Sequence, residues 1–136
     1  MSILNYICLC MYSMKILFAI GAGSFIGGVS RYLLSSLIEH KNFSSFPFGT
    51  LGVNMMGCLL IGIFYGYLEY GSISDEWKLF LTTGLLGGFT TFSAFSAETF
   101  LLVHYKQQGM ALLYVSVTIL LGLLATYVGY LLGKLV

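Results

Sequence analysis

Four apolar runs divide the 136-residue chain, and each is long enough to cross a lipid bilayer as a helix. About 20 residues suffice for a span, because each adds about 1.5 Å against a hydrocarbon core of about 30 Å. The first run extends from about Lys15 to Leu37 and closes on the polar stretch "EHKNFSSF". The second begins at Pro47 and continues to about Tyr70; proline suits a first helical turn, where its missing N–H is no loss. "GSISDEW" follows, with Ser74 placed to cap the next helix. The third run covers about Trp77 to Tyr105, and the fourth, after the short turn "KQQG", about Ala111 to Leu135. Only 8% of residues are charged, against roughly 25% in soluble domains. The expected fold is therefore an all-α membrane protein of four transmembrane helices with almost no extramembrane domain.

Residues 1–13, "MSILNYICLCMYS", carry neither a basic n-region nor an A-x-A cleavage pattern, so a secretory signal is not expected. Met14 opens a more convincing membrane-protein start, "MKILFAIGAG". Residues 1–13 are thus read as an N-terminal extension from an upstream start, and 14–136 as a single four-helix domain. Cys8, Cys10 and Cys58 lack the spacing and partners of a disulfide framework or a zinc site. The net charge of +1 gives no argument for a nucleic-acid partner. Neither His40 nor His104 accompanies a nucleophile or metal-ligand pattern, so enzymatic activity has little support.

The third run is too long for a straight crossing. As one helix its 29 residues would measure roughly 43 Å. Gly87 and Gly88 each cost about 1 kcal/mol in a helix relative to alanine, and the β-branched Thr90 and Thr91 add a little more. A break near 87 to 91 is expected. Unwinding a membrane helix frees backbone carbonyls, which is tolerable only where protein, water or an ion satisfies them. Two copies of such a break on a two-fold axis would form a closed cage of oxygens for a cation.

Orientation in the membrane follows Lys and Arg in the flanking loops. Lys15, Lys78 and Lys134 fall on one side, and Arg31, Lys41 and Lys106 on the other. This three-against-three balance is either a coincidence of a short sequence or the mark of dual topology, with copies inserted both ways and paired antiparallel. Glycines at four-residue spacing recur at Gly23 and Gly27, Gly62 and Gly66, and Gly129 and Gly133. They would let helices approach closely, either within one chain or between two.

The polar residues inside the spans carry the functional signal. Asn54 lies about halfway along the second span, one turn beyond Thr50; its amide needs partners, through either an interhelical hydrogen bond or a ligand. After the expected break, Phe92, Phe95, Ser96 and Thr99 share one helical face. An aromatic ring has a negative face and a positive edge, so ring edges beside Asn N–H and hydroxyl groups could line a path for a small anion. Thr118, Gly122 and Thr126 form a second stripe, unless their hydroxyls return to their own helix. Arg31 either snorkels or attracts anions at an entrance. Glu98 is expected to pair or hydrogen-bond, with a proton carrier as the other reading.

These residues resemble the Fluc (CrcB) fluoride channels over about residues 14–136. The resemblance rests on "GGVSR" (27–31), "PFGTLGVN" followed by "MMG" (47–57), and above all "GLLGGFTTFSAFSAE" (84–98). It implies an antiparallel, dual-topology homodimer of four-helix subunits in the plasma membrane, carrying two fluoride pathways. Asn54 would then donate to fluoride, and Phe92 and Phe95 would supply the paired rings. The main-chain carbonyls of Gly87 and Thr90 would hold a structural sodium ion at the subunit interface. Arg31 would sit by the vestibule, Glu98 and Ser96 in the polar lining, and Thr118 and Thr126 along the track of the fourth helix. Gly122 stands where family members often have a hydroxyl, which would interrupt that track or leave it to water. The resemblance also implies passive export of fluoride that entered as the neutral acid. A small dual-topology proton-coupled efflux transporter is the alternative, with Glu98 as its only candidate carboxylate.

Overall fold

The computed structural model describes the backbone of residues 3–41 and 46–135, and the side chains of 14–39 and 46–135. The side chains of the expected extension, including Cys8 and Cys10, lie outside the described residues. Among the described residues five helices make four spans: α1 (Ile3–Lys41), α2 (Phe48–Leu68), α3 (75–89), α4 (Phe92–His104) and α5 (Gln108–Gly133). The membrane-length segments are Met14–Glu39, Phe48–Leu68, Asp75–His104 and Gln108–Gly133, so α3 and α4 share the third crossing. Pro47 precedes α2 as its N-cap, one residue earlier than its expected place in the first turn. Ser74 occupies the N-cap position of α3 as expected, without a side-chain capping bond.

The third span breaks at Thr90 and Thr91, whose backbones are extended (φ −88°, ψ 156° and φ −147°, ψ 119°). The sequence placed the break in this region but gave the glycines the wrong part in it. Gly87 is helical (φ −64°, ψ −36°), and Gly88 lies within the helical Gly87–Phe89. What Gly88 provides is proximity: a Cβ there would stand 2.6 Å from the Ser24 carbonyl oxygen of α1. The preceding turns, Phe80–Leu86, are π-helical.

Two extensive helix pairings organise the bundle, α2 with α5 and α1 with the first half of the third span. Both are close because glycine removes the side chain at the crossing. A Cβ at Gly27 would fall 2.1 Å from the Leu85 carbonyl oxygen, and one at Gly62 would fall 2.2 Å from that of Thr126. The paired glycines of the sequence therefore serve intrachain packing, where dispersion replaces the hydrophobic drive absent in lipid. Val53, Leu86, Phe89, Leu102, Ala111 and Tyr114 are buried, whereas most large apolar side chains face outward. That pattern suits a lipid solvent.

One end of α2 is tied to the end of α5 by a polar cluster. Tyr130 Oη donates to Glu69 Oε2, and Lys134 Nζ donates to Glu69 Oε1 at 3.0 Å. The Tyr130 hydrogen bond first, then Lys134, holds the Glu69 carboxyl below its ordinary range. Lys134 is raised in turn, chiefly by its hydrogen bond to Glu69.

Candidate ion pathway at the third-span break

A cavity of about 530 Å³ opens where α2, α5 and the break meet. Asn54, Gly57 and Cys58 line it from α2; Thr82, Leu86, Gly87, Thr90, Thr91, Phe92 and Phe95 from the third span; Thr118, Gly122 and Thr126 from α5. Seven of the residues singled out in the sequence thus come together: Asn54, Gly87, Thr90, Phe92, Phe95, Thr118 and Thr126. Ser96, Glu98 and Arg31 stand outside the lining. Ser96 is exposed on α4, and Arg31 is half-buried on α1, within the first span and about 12 Å of helix short of its end.

The break is built from hydrogen bonds that replace those of the helix. Thr91 N–H donates to Asn54 Oδ1 at 2.9 Å, and Asn54 Nδ2 donates to the Thr91 carbonyl at 3.2 Å. The Thr91 hydroxyl accepts Ala94 N–H at 3.2 Å, capping α4, and lies 3.1 Å from Ser93 Oγ. In a continuous helix each N–H would donate to the carbonyl four residues earlier. Thr91 N–H would serve Gly87 and Ala94 N–H would serve Thr90. Both donors are engaged elsewhere, which leaves those two carbonyls without their helical partners.

The aromatic side chains continue away from the cavity as a chain of contacts. Phe92 and Phe95 have centroids 5.6 Å apart at 46°, Phe95 and Tyr114 5.2 Å, and Tyr114 meets Phe46 at 5.4 Å and 82°. Tyr114 is fully buried. Its hydroxyl donates to Glu98 Oε2 at 2.6 Å, and Thr50 Oγ1 donates to Glu98 Oε1 at 2.5 Å. The carboxylate is therefore satisfied by two hydroxyls, one from α2 and one from α5.

The threonines of the lining differ in what they can offer. Thr126 Oγ1 donates to the Gly122 carbonyl at 3.0 Å and Thr90 Oγ1 to that of Leu86 at 3.0 Å, each back to its own helix. Thr118 Oγ1 is buried with no hydrogen-bond partner among the described residues. Its proton is the one free hydroxyl donor in the α5 stripe.

Sequence reasoning missed three participants. Tyr114 extends the stripe Thr118, Gly122, Thr126 by one more four-residue step, a spacing that was readable. By sequence Thr50 is a neighbour of Asn54 by one turn, whereas the structure makes it a partner of Glu98. Helix propensity makes Thr91 a destabiliser, whereas in the structure its hydroxyl caps the helix that follows.

The family described as "CrcB-like protein, Camphor Resistance (CrcB)" matches residues 18–130. A fluoride-specific ion channel FluC of Flavobacterium psychrophilum is 46% identical over 122 residues, covering 89% of this chain and 98% of the relative. The FluC of Aquifex aeolicus is 40% identical with the same coverage, and that of Thermus thermophilus is 41% identical over 114 residues, 84% of this chain and 91% of the relative. With its four spans, its broken third crossing and a match over most of its length, the chain belongs to the CrcB-like family of multi-pass membrane proteins.

Proposed function

We propose that this chain is a fluoride channel of the plasma membrane, exporting passively the fluoride that enters a cell as neutral acid and ionises inside. The observation that carries the reading is the cavity at the break, where one amide, one unpartnered hydroxyl and two phenylalanine rings converge. The names of its relatives support fluoride as the ion. Fluoride is small and strongly hydrated, so its path must replace water with donors and exclude bulk. Asn54 has an N–H beyond the one spent on Thr91, since a carboxamide carries two. Thr118 offers an unspent O–H, and the edges of Phe92 and Phe95 present positive potential. Each acts on a bare anion in a medium of low dielectric, where such contacts are strong.

Two antiparallel copies, each contributing to the interface, complete the proposed assembly. The carbonyls of Gly87 and Thr90 fit a sodium ion there, because both have lost their helical donors. Among the described residues no cluster of three or more His, Cys, Asp and Glu side chains could hold a metal, so main-chain oxygens are the appropriate ligands. When bound, sodium supplies positive charge that compensates these carbonyl dipoles. A proton-coupled transporter is not favoured: Glu98 lies off the cavity with both oxygens already hydrogen-bonded.

Fluoride efflux from liposomes containing the purified protein tests the function, with chloride as the control anion. Fluoride should leave rapidly and chloride remain; equal release of both, or of neither, would refute it. Reporter fusions at the C-terminus should appear on both sides of the membrane, and a uniform location would exclude the antiparallel pair.

A further inference from the structure

We propose that Asn54 is the clamp that holds the third-span break open, so that the anion lining and the cation-binding carbonyls form one coupled unit. This rests on the reading of the cavity given above, and it assigns Asn54 a positioning role beyond any contact with the ion.

The argument follows the hydrogen bonds. Asn54 meets Thr91 at two points, accepting its N–H at 2.9 Å and donating to its carbonyl at 3.2 Å. A carboxamide side chain mirrors the backbone peptide group, so it can replace both partners that an extended residue has lost. Rewinding the helix through 87–91 would return Thr91 N–H to the Gly87 carbonyl. By holding that N–H, Asn54 keeps the carbonyl available. The effect extends to Thr90: Thr91, fixed by the clamp, presents its hydroxyl to Ala94 N–H, the donor that the Thr90 carbonyl would otherwise receive. One side chain of α2 thereby controls both carbonyls. Its second N–H is not spent on Thr91, and Asn54 lines the same cavity as Phe92, Phe95 and Thr118. Anion and cation are thus coordinated through the two ends of one amide.

The test separates the clamp from the pathway. Sodium affinity is read from the rise in melting temperature of the purified dimer as sodium chloride replaces N-methylglucamine chloride. Exchange of the Thr91 amide is followed by NMR of protein labelled at threonine nitrogen. Asn54→Ala should weaken apparent sodium affinity by about tenfold or more, the worth of one lost buried hydrogen bond, and speed Thr91 exchange by at least about as much. Asn54→Asp keeps an acceptor for Thr91 N–H but loses the donor, and should fall between wild type and Asn54→Ala. Phe95→Ile removes a ring without touching Thr91; it should lose fluoride flux and keep its sodium affinity. A dimeric Asn54→Ala protein with wild-type sodium affinity and slow Thr91 exchange overturns the clamp. So does fast Thr91 exchange in the wild type, which needs no variant to fold. A wild type that conducts fluoride but shows no response to sodium overturns the coupling and the cation site while leaving the pathway standing.

Discussion

Replacing Thr118 by valine should move stability and transport in opposite directions. The Thr118 hydroxyl is buried and has no hydrogen-bond partner among the described residues. A polar group in that condition costs about 1–3 kcal/mol relative to its solvated state. Valine keeps the branched shape and removes the group, so the variant should be more stable by up to that amount. For a chain of this size each kcal/mol shifts the melting temperature by about 3–5 °C. An anion passing Thr118 would meanwhile lose an O–H donor, and a hydrogen bond to a charged group contributes about 1.5–3 kcal/mol. Fluoride flux should fall about ten- to hundredfold. Thr118→Ser retains the donor and should conduct within about threefold of wild type, the spread expected for a conservative change. The measurements are thermal unfolding of the purified protein and efflux from liposomes at matched protein content. A valine variant that conducts normally would refute the role of the hydroxyl. One destabilised by more than about 1 kcal/mol would show instead that the hydroxyl has a structural partner.

Phe92→Ile and Phe95→Ile keep apolar bulk and remove the ring quadrupole, so fluoride efflux should drop sharply in both. Phe18→Ile, on the exposed face of α1, should behave as wild type in the same assay. Tyr114→Phe preserves the ring contacts with Phe46 and Phe95 but strips Glu98 Oε2 of its donor; unfolding should show a loss of about 1–3 kcal/mol. Glu69 is held below its ordinary value of 4.5, first by Tyr130 and then by Lys134. Its stabilising effect should be complete at neutral pH and disappear as pH falls through that lowered value. Glu69→Gln should flatten the acid limb of a melting-temperature profile between pH 3 and 7, while an unchanged limb would exclude the cluster as its source.

The number of spans was legible because lipid imposes a length on every apolar run, and each membrane-length segment lies within a few residues of its run, although the α1 helix itself begins well before its run, at Ile3. The break was legible for a similar reason: the third span, at 30 residues, exceeds what a straight crossing needs. What local sequence could not assign was the division of labour inside "GGFTT". Helix propensity marks glycine as the weakest residue of the five, yet Gly87 and Gly88 remain helical, and Gly88 leaves the space that the neighbouring α1 backbone occupies at Ser24. The threonines open instead because Asn54, 37 residues earlier in the chain, offers Thr91 a substitute for its helical partners. Such long-range compensation leaves no periodic trace. The Glu98 cluster was hidden in the same way, since its donors come from residues 48 and 16 positions away. The Thr118 and Thr126 stripe was visible by spacing, but only the structure distinguishes the hydroxyl that returns to its helix from the one that does not.

The two-point contact between Asn54 and Thr91 also has an order in time. A membrane crossing with an unwound segment exposes peptide groups that hydrocarbon cannot satisfy. Had the amide that answers them lain in the last span, the third would have had to wait in the bilayer with those groups bare, or enter as an overlong straight helix and unwind afterwards. Asn54 lies in the second span, and chains are made from the N-terminus. The partner is therefore already in the membrane when the break arrives. The third span can be accepted in its kinked form at once, and moving Asn54 to a position after it, as a circular permutation joining the fourth span to the first would do, should slow insertion even where the finished fold is unchanged.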